Sequence, residues 1–260
     1  MMGMAEKRYD LNNYRWALVT GGSSGIGREF AIQLAQKGIN VIIVGRNAVA
    51  LSEVADEIHK TSSASVVIIQ GDLTKDIDQV IDNTSRFEID LLINNAGFGL
   101  YGDFVSHSEH EYENMVELNV KVLAKLTRHY VERMVQKHHG GVINVASVAG
   151  FFPIPHLSVY GATKAFIYSL SMSLWAELKD KNVHVLCVAP GPTETKFFER
   201  AKMKPGKRVM KPQEVVSGAL QAFEYGKPLY IPGFENKLSY HLVRRLLGDK
   251  FIAKFLAKNF

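Results

Sequence analysis

Apolar residues fall along the chain in two alternating kinds of run. Short, nearly uninterrupted stretches rich in Val, Ile and Leu occupy 17–20, 41–44, 66–69, 91–93, 142–145 and 183–188. Between them apolar residues recur every three or four positions, the period of a helix with one buried face. Residues 25–38 show the second kind: Ile26, Phe30, Leu34 and Ala35 make one stripe, which Gly38 ends. Strand runs without polar alternation are buried on both faces, as in a parallel sheet covered by helices on either side. The pattern therefore predicts an α/β fold with a doubly wound parallel sheet. Ligands of such sheets bind beyond the carboxyl ends of the strands, and the sequence places Gly21, Asn95, Ser147 and Pro190 there. The longest irregular stretch, 190–212, follows the sixth strand and reads as a substrate loop.

No Pro/Ser-rich linker and no internal repeat divides the 260 residues, of which 47% are hydrophobic and 22% charged, so one domain is expected. Its body is read as 1–232, and 233–260 as a C-terminal helical extension of the same domain. The single cysteine, Cys187, excludes an intramolecular disulfide and, within an apolar run, reads as a buried strand thiol in a reducing compartment. Residues 1–13 hold Glu6, Lys7, Arg8 and Asp10 and no apolar run, so neither a secretory signal nor a spanning helix is expected there, and the expected location is cytoplasmic. The net charge of +5 suggests an acidic partner until its position is considered. From Lys237 onward Lys237, Arg244, Arg245, Lys250, Lys254 and Lys258 face only Asp249, which accounts for the whole excess. The near-neutral body has no basic stripe, and no nucleic acid partner is expected.

The first strand run leads into Thr20, Gly21, Gly22, Ser23, Ser24, Gly25, Ile26 and Gly27. A glycine-rich strand-to-helix turn can bring backbone N–H groups and a helix N-terminus against a pyrophosphate, though it can also be merely a tight connection. The spacing departs from G-x-G-x-x-G and resembles the T-G-x-x-x-G-x-G signature of the classical short-chain dehydrogenase/reductase family. Further segments agree in order: Asp72 and Leu73 after the third strand run, Asn94, Asn95, Ala96 and Gly97 after the fourth, and Pro190, Gly191, Pro192, Thr193, Glu194 and Thr195 after the sixth. The resemblance spans roughly 15–232 and implies a Rossmann-type fold holding a nicotinamide dinucleotide. By that resemblance Asp72 and Leu73 meet the adenine, Asn95 to Gly97 the adenosine side, and Pro190, Gly191, Thr193 and Thr195 the nicotinamide end.

The second strand run closes on Val44, Gly45, Arg46 and Asn47. An NAD site commonly places an acid here for the ribose 2′-hydroxyl, an acid that would repel a 2′-phosphate. Gly45 stands in that place, and Arg46 beside it offers a planar cationic fork suited to phosphate, so NADP(H) is the expected cofactor. The competing reading is a solvated arginine at a helix entrance, since Ser24 is not the second basic residue that some NADP(H)-using members carry.

Tyr160 and Lys164 lie four residues apart in a helical stretch, 158–179, and share a face. That spacing alone is weak; its weight comes from Ser147, thirteen residues earlier, and from Asn119, which together resemble the family's Asn-Ser-Tyr-Lys tetrad. Carbonyl reduction leaves an alkoxide that needs a proton, and a phenol of ordinary pKa about 10 is a natural donor. Lys164 would lower the phenol's pKa and hold the nicotinamide ribose, and Ser147 would hydrogen-bond the carbonyl oxygen. Asn119, by the resemblance, positions a water linking Lys164 to solvent. The plain alternatives are a strand-end hydroxyl at Ser147, a surface amide at Asn119 and a solvated charge at Lys164.

The nine histidines show no H-E-x-x-H or other metal spacing, and no metal is expected. Ser147 lacks the flanking glycines of a hydrolase nucleophile elbow. Phe98, Leu100 and Tyr101, with Phe151, Phe152, Ile154, Pro155 and Leu157, suggest an apolar pocket, or else loop packing. Phe197 and Phe198 lead into Lys202, Lys204, Lys207 and Arg208, charges that suit a phosphate-bearing carrier thioester or a solvated lid. The apolar loop and long tail are similar to the branch of ketone, 3-oxoacyl and steroid reductases, which implies a hydrophobic ketone or aldehyde as substrate. In the tail, Leu238, Leu242, Val243, Leu246, Leu247, Phe251, Ile252, Phe255 and Leu256 recur at helical spacing among basic residues. Three uses compete: packing over the pocket or core, an oligomer interface, and a peripheral membrane contact. Family resemblance implies a homodimer or homotetramer. A non-catalytic nucleotide-binding protein on the same scaffold is the alternative function.

Overall fold

The computed structural model describes residues 8–203, 209–238, 240 and 248–259. Seven parallel strands form one sheet in the order β3-β2-β1-β4-β5-β6-β7. They are β1 Trp16–Thr20, β2 Asn40–Gly45, β3 Val66–Gln70, β4 Leu91–Asn94, β5 Gly140–Val145, β6 Val183–Val188 and β7 Leu229–Tyr230. The helices are α1 Gly25–Gln36, α2 Ala48–Thr61, α3 Ile77–Thr84, α4 Glu109–Val116, α5 Leu123–Lys137, α6 Ser158–Leu178, α7 Phe197–Arg200, α8 Pro212–Glu224, α9 Phe234–Leu238 and α10 Asp249–Asn259.

Alternate strand residues feed separate cores on the two faces. Ala17, Val19, Val41 and Ile43 pack with Phe30 and Leu34 of α1 and with Val216 and Phe223 of α8. Leu18, Ile42 and Val44 pack with Leu126, Tyr130 and Met134 of α5. Each such buried large side chain contributes about 1.5–3 kcal/mol of transfer free energy, which is why uninterrupted apolar runs persist through the central strands. Chain order reverses between β1 and β4, so a crevice opens at their carboxyl ends, and the loops that follow both strands meet there. Thr20 pins them together: its Oγ1 accepts from the N–H groups of Asn95 and Ala96 at 2.9 and 3.0 Å and donates to Ile93 O at 3.1 Å.

Several expectations change. Ile68 on the edge strand β3 is 40% exposed, so that run is not covered on both faces. β7 is only two residues long and too short to register as an apolar run. The 190–212 stretch contains α7 and is drawn together by the bridge between Thr193 and Met210, where Glu194 N donates to Met210 O and Met210 N to Pro192 O, each at 2.9 Å. In the tail, the Tyr240 hydroxyl lies 2.9 Å from that of Tyr168 and its ring packs against Phe151, so the extension covers part of the chain's own core. Of the expected apolar and basic positions, Lys204, Lys207, Arg208, Leu242, Val243, Arg244, Arg245, Leu246 and Leu247 lie outside the described residues. Among the described residues no helix is long and apolar enough to cross a membrane.

Candidate active site

The glycine turn is built for close approach. Gly25 opens α1 at φ +56°, and a Cβ there would stand 2.7 Å from Thr195 Cγ2. A Cβ on Gly27 would fall 2.3 Å from both Gly21 O and Asn95 Nδ2. Asn95 holds this arrangement by donating from Nδ2 to Thr20 O and Gly21 O at 3.0 and 3.3 Å. The N-cap, Ser24, makes no side-chain cap hydrogen bond, so it leaves the first N–H groups of α1 available at the crevice.

A cavity of about 950 Å³ begins at this turn. Arg46, Asp72, Phe198 and Met203 are among the residues that line it. Every residue of the expected cofactor set lines it except Gly27, whose contribution is the tight packing beneath the turn. Arg46 is exposed at the end of β2. Partial burial pushes the Asp72 carboxyl up, but hydrogen bonds from Thr74 Oγ1 and N, with Arg46 and Lys75 nearby, outweigh it and hold the group below the usual carboxylate range. These features fit a dinucleotide: a turn in which a Cβ on Gly25 or Gly27 would clash, and an exposed arginine at the end of the second strand.

Past Asn95 the cavity reaches Ser147, Tyr160 and Lys164. Tyr160 and Lys164 project together from the first turns of α6, at 8% and 5% exposure. Lys164 is no solvated charge. Its Nζ donates to Val145 O at 2.9 Å and lies 5.7 Å from the centre of the Tyr160 ring. Ser147 ends the loop after β5; its Oγ accepts from Ala149 N at 3.1 Å and donates to Pro190 O at 3.4 Å. Burial pushes the Tyr160 phenol up to about 12, opposed in part by a hydrogen bond with Ser147. Burial also pulls Lys164 down to about 8. Cys187 is the expected buried strand thiol on β6, and burial raises it to about 12.

Asn119 is no surface amide. It sits in a π-helical turn, Glu117–Val122, between α4 and α5, is 1% exposed and does not line the cavity. Its Oδ1 accepts from Phe98 N at 3.1 Å, and its Nδ2 donates to Phe98 O at 2.9 Å and to Thr163 Oγ1 at 3.1 Å. Both amide protons are thereby used, and the side chain clamps the loop after β4 to α6 beside Lys164. A π-turn, common at functional sites, is what rotates this residue inward, and the sequence carried no period that would announce it.

The apolar residues divide. Phe98, Leu100, Tyr101, Ile154 and Leu157 pack around Tyr160 with Met115, whereas Phe151 and Phe152 join Ile167, Ile231 and Tyr240 in a separate cluster. Phe197 of α7 covers Tyr160, with ring centres 5.2 Å apart. Gly99, Thr163 and Met115 went unremarked in the sequence. A Cβ on Gly99 would come within 2.8 Å of Phe197 and 3.0 Å of Tyr160, but an isolated loop glycine gives no advance sign of that contact.

The family model for short chain dehydrogenases matches residues 15–205. The chain belongs to that family. It is 30% identical over 239 residues to a very-long-chain 3-oxoacyl-CoA reductase of Macaca fascicularis, covering 90% of this chain and 73% of that protein. It is 33% identical over 181 residues to 17-beta-hydroxysteroid dehydrogenase type 3 of Mus musculus, covering 68% of this chain and only 59% of that relative's length. Among solved structures, a short-chain dehydrogenase of Sphingobium yanoikuyae in complex with NADPH aligns at TM-score 0.82 and 33% identity, over 88% of this chain and 91% of the other. Family membership makes the chain an oxidoreductase scaffold of the nicotinamide-using kind and gives the crevice between β1 and β4 its place in a shared Rossmann-type fold.

Proposed function

We propose that this short-chain dehydrogenase is an NADP(H)-dependent reductase of hydrophobic ketones or aldehydes, 3-oxoacyl compounds among them, with Tyr160 as proton donor. One observation carries the reading: the buried Tyr160 phenol lines the same cavity as Ser147, Lys164, the glycine turn and Arg46. The names of the relatives, a 3-oxoacyl-CoA reductase and a hydroxysteroid dehydrogenase, support an apolar carbonyl, as do Phe98, Ile154, Leu157 and Phe197 around Tyr160.

Gly21, Ser23, Ser24, Gly25 and Ile26 would hold the pyrophosphate above the close packing at Gly27, Arg46 the 2′-phosphate, and Asp72 and Leu73 the adenine. Asn95 to Gly97 would flank the adenosine side, and Pro190, Gly191, Thr193 and Thr195 the nicotinamide end. The reduced nicotinamide supplies hydride to the carbonyl carbon. Ser147 Oγ and the Tyr160 hydroxyl donate to the carbonyl oxygen, the first stabilising negative charge as it grows and the second giving up its proton. Lys164 keeps positive charge beside the phenol and so stabilises the phenolate that remains. Asn119 would fix the loop that carries Phe98 against the same helix, which keeps that loop beside Lys164.

The cofactor assignment is tested by comparing NADPH with NADH. Wild type should favour NADPH, and Arg46→Ala should lower kcat/KM for NADPH by about 10- to 100-fold, roughly the 1.5–3 kcal/mol of a charged hydrogen bond, while leaving NADH nearly unchanged. A wild-type preference for NADH removes NADP(H) from the proposal.

The two site pKa values also fix a pH dependence. Tyr160 keeps its proton to about 12, so it does not limit reduction below that. Lys164, pulled down to about 8, is charged below that pH and neutral above it. The kcat/KM for carbonyl reduction, which reports groups of the free enzyme, should therefore be level below pH 8 and fall as pH rises through about 8. A profile flat to pH 10 or beyond would remove the lysine's charge from the mechanism.

A further inference from the structure

The last helix, α10, has no part in the chemistry above. Ile252 is its buried anchor at 5% exposure, and Leu256, one turn on, is half-buried. Phe251 and Phe255 are 56% and 57% exposed, with ring planes nearly parallel at 11° and centres 6.4 Å apart. Lys250 and Lys254, each one position earlier, are exposed as well. At 100° per residue the two lysines stand opposite Ile252, and the two phenylalanines lie between, forming an apolar strip with ammonium groups along one side. Large exposed aromatics in adjacent turns are costly on a face that only meets water. The whole positive excess of the chain also lies from Lys237 onward.

We propose that α10 is a docking surface for an anionic lipid bilayer, lying in the interface with Phe251 and Phe255 in the acyl boundary and Lys250 and Lys254 on lipid phosphates. Aromatic rings favour that depth, and lysines beside them gain from the negative surface potential. Charge argues against a second copy as the occupant, since pairing two such faces brings four lysines together. It is equally a surface helix and not a span, in keeping with the absence of any crossing helix among the described residues. The proposal is independent of the carbonyl chemistry.

Co-sedimentation of the full chain with phosphatidylcholine vesicles, with and without phosphatidylserine, tests it. Wild type should pellet with the phosphatidylserine vesicles, and raised salt should release it. Phe251→Ser/Phe255→Ser and Lys250→Glu/Lys254→Glu should each cut the bound fraction about tenfold or more, with only a small change in melting temperature, because more than half of each phenylalanine is exposed and both lysines are exposed. Three results would overturn it: wild type left in the supernatant with both vesicles, double variants that pellet like wild type, or a phenylalanine variant that loses a dimer in sedimentation velocity while vesicle binding persists.

Discussion

Tyr160→Phe should lower the rate of carbonyl reduction by about 10²–10⁴-fold, the range that a positioned proton donor supplies, while cofactor affinity and fold stay nearly unchanged. The substitution removes one oxygen and keeps the ring that packs against Phe197, Met115 and Leu157. Lys164 keeps its bond to Val145 O, so the face of α6 beside the cofactor cavity is undisturbed. Ser147 keeps its two backbone partners, the Ala149 N–H and Pro190 O. What is lost is the proton that the new alkoxide requires and one of its two hydrogen-bond donors. Steady-state reduction of a panel of apolar ketones, followed through NADPH oxidation, measures the first effect, and fluorescence titration of NADPH measures the second. An unchanged rate would end the proton-donor role; a lost cofactor affinity would make Tyr160 a structural residue.

Much of this site could be read before the fold was known, because its residues sit where period and punctuation meet. β6 coincides with its apolar run, and the other five long strands extend theirs by one or two residues, β2 at both ends and the rest at one. Gly21, Asn95, Ser147 and Pro190 each follow such a run, and the carboxyl ends of the parallel neighbours β1, β4, β5 and β6 gather them. Tyr160 and Lys164 are joined by helical spacing alone. The features that escaped are those that depend on contacts between distant segments. Asn119 is turned inward by a π-turn, and Phe151 lies seventeen residues before Tyr168, against which it packs at 5.0 Å. Neither follows from local pattern. β7 owes its strand character to pairing with Cys187 and Val188 and to nothing periodic in itself. The pKa of Lys164 belongs to the same group: a lysine in a helix reads as solvated until burial shows otherwise.

The second large effect is expected at Gly27→Ala, which should weaken cofactor binding by about 10²-fold, the scale of a misplacement of about 1 Å at a site that depends on geometry. The new methyl would start 2.3 Å from Gly21 O and 2.3 Å from Asn95 Nδ2. Neither can yield cheaply. Gly21 is backbone at φ +67°, and Asn95 is tied to Thr20 O, while its main chain is tied to Thr20 Oγ1. Thr20 in turn reaches Ile93 O across to β4. Relief must therefore come from moving the glycine turn as a body relative to α1, which displaces the N–H groups proposed to meet the pyrophosphate. Overpacking of this kind also costs about 1–3 kcal/mol of stability, so a modest fall in Tm should accompany the binding defect. The two measurements separate the causes: a lower Tm with cofactor affinity intact would mean that the turn only packs, whereas lost affinity with a small change in Tm places the pyrophosphate at Gly21 to Gly27. Because Gly27 itself does not line the cavity, such a loss would act through the position of the turn, the property for which a sequence of closely spaced glycines is suited.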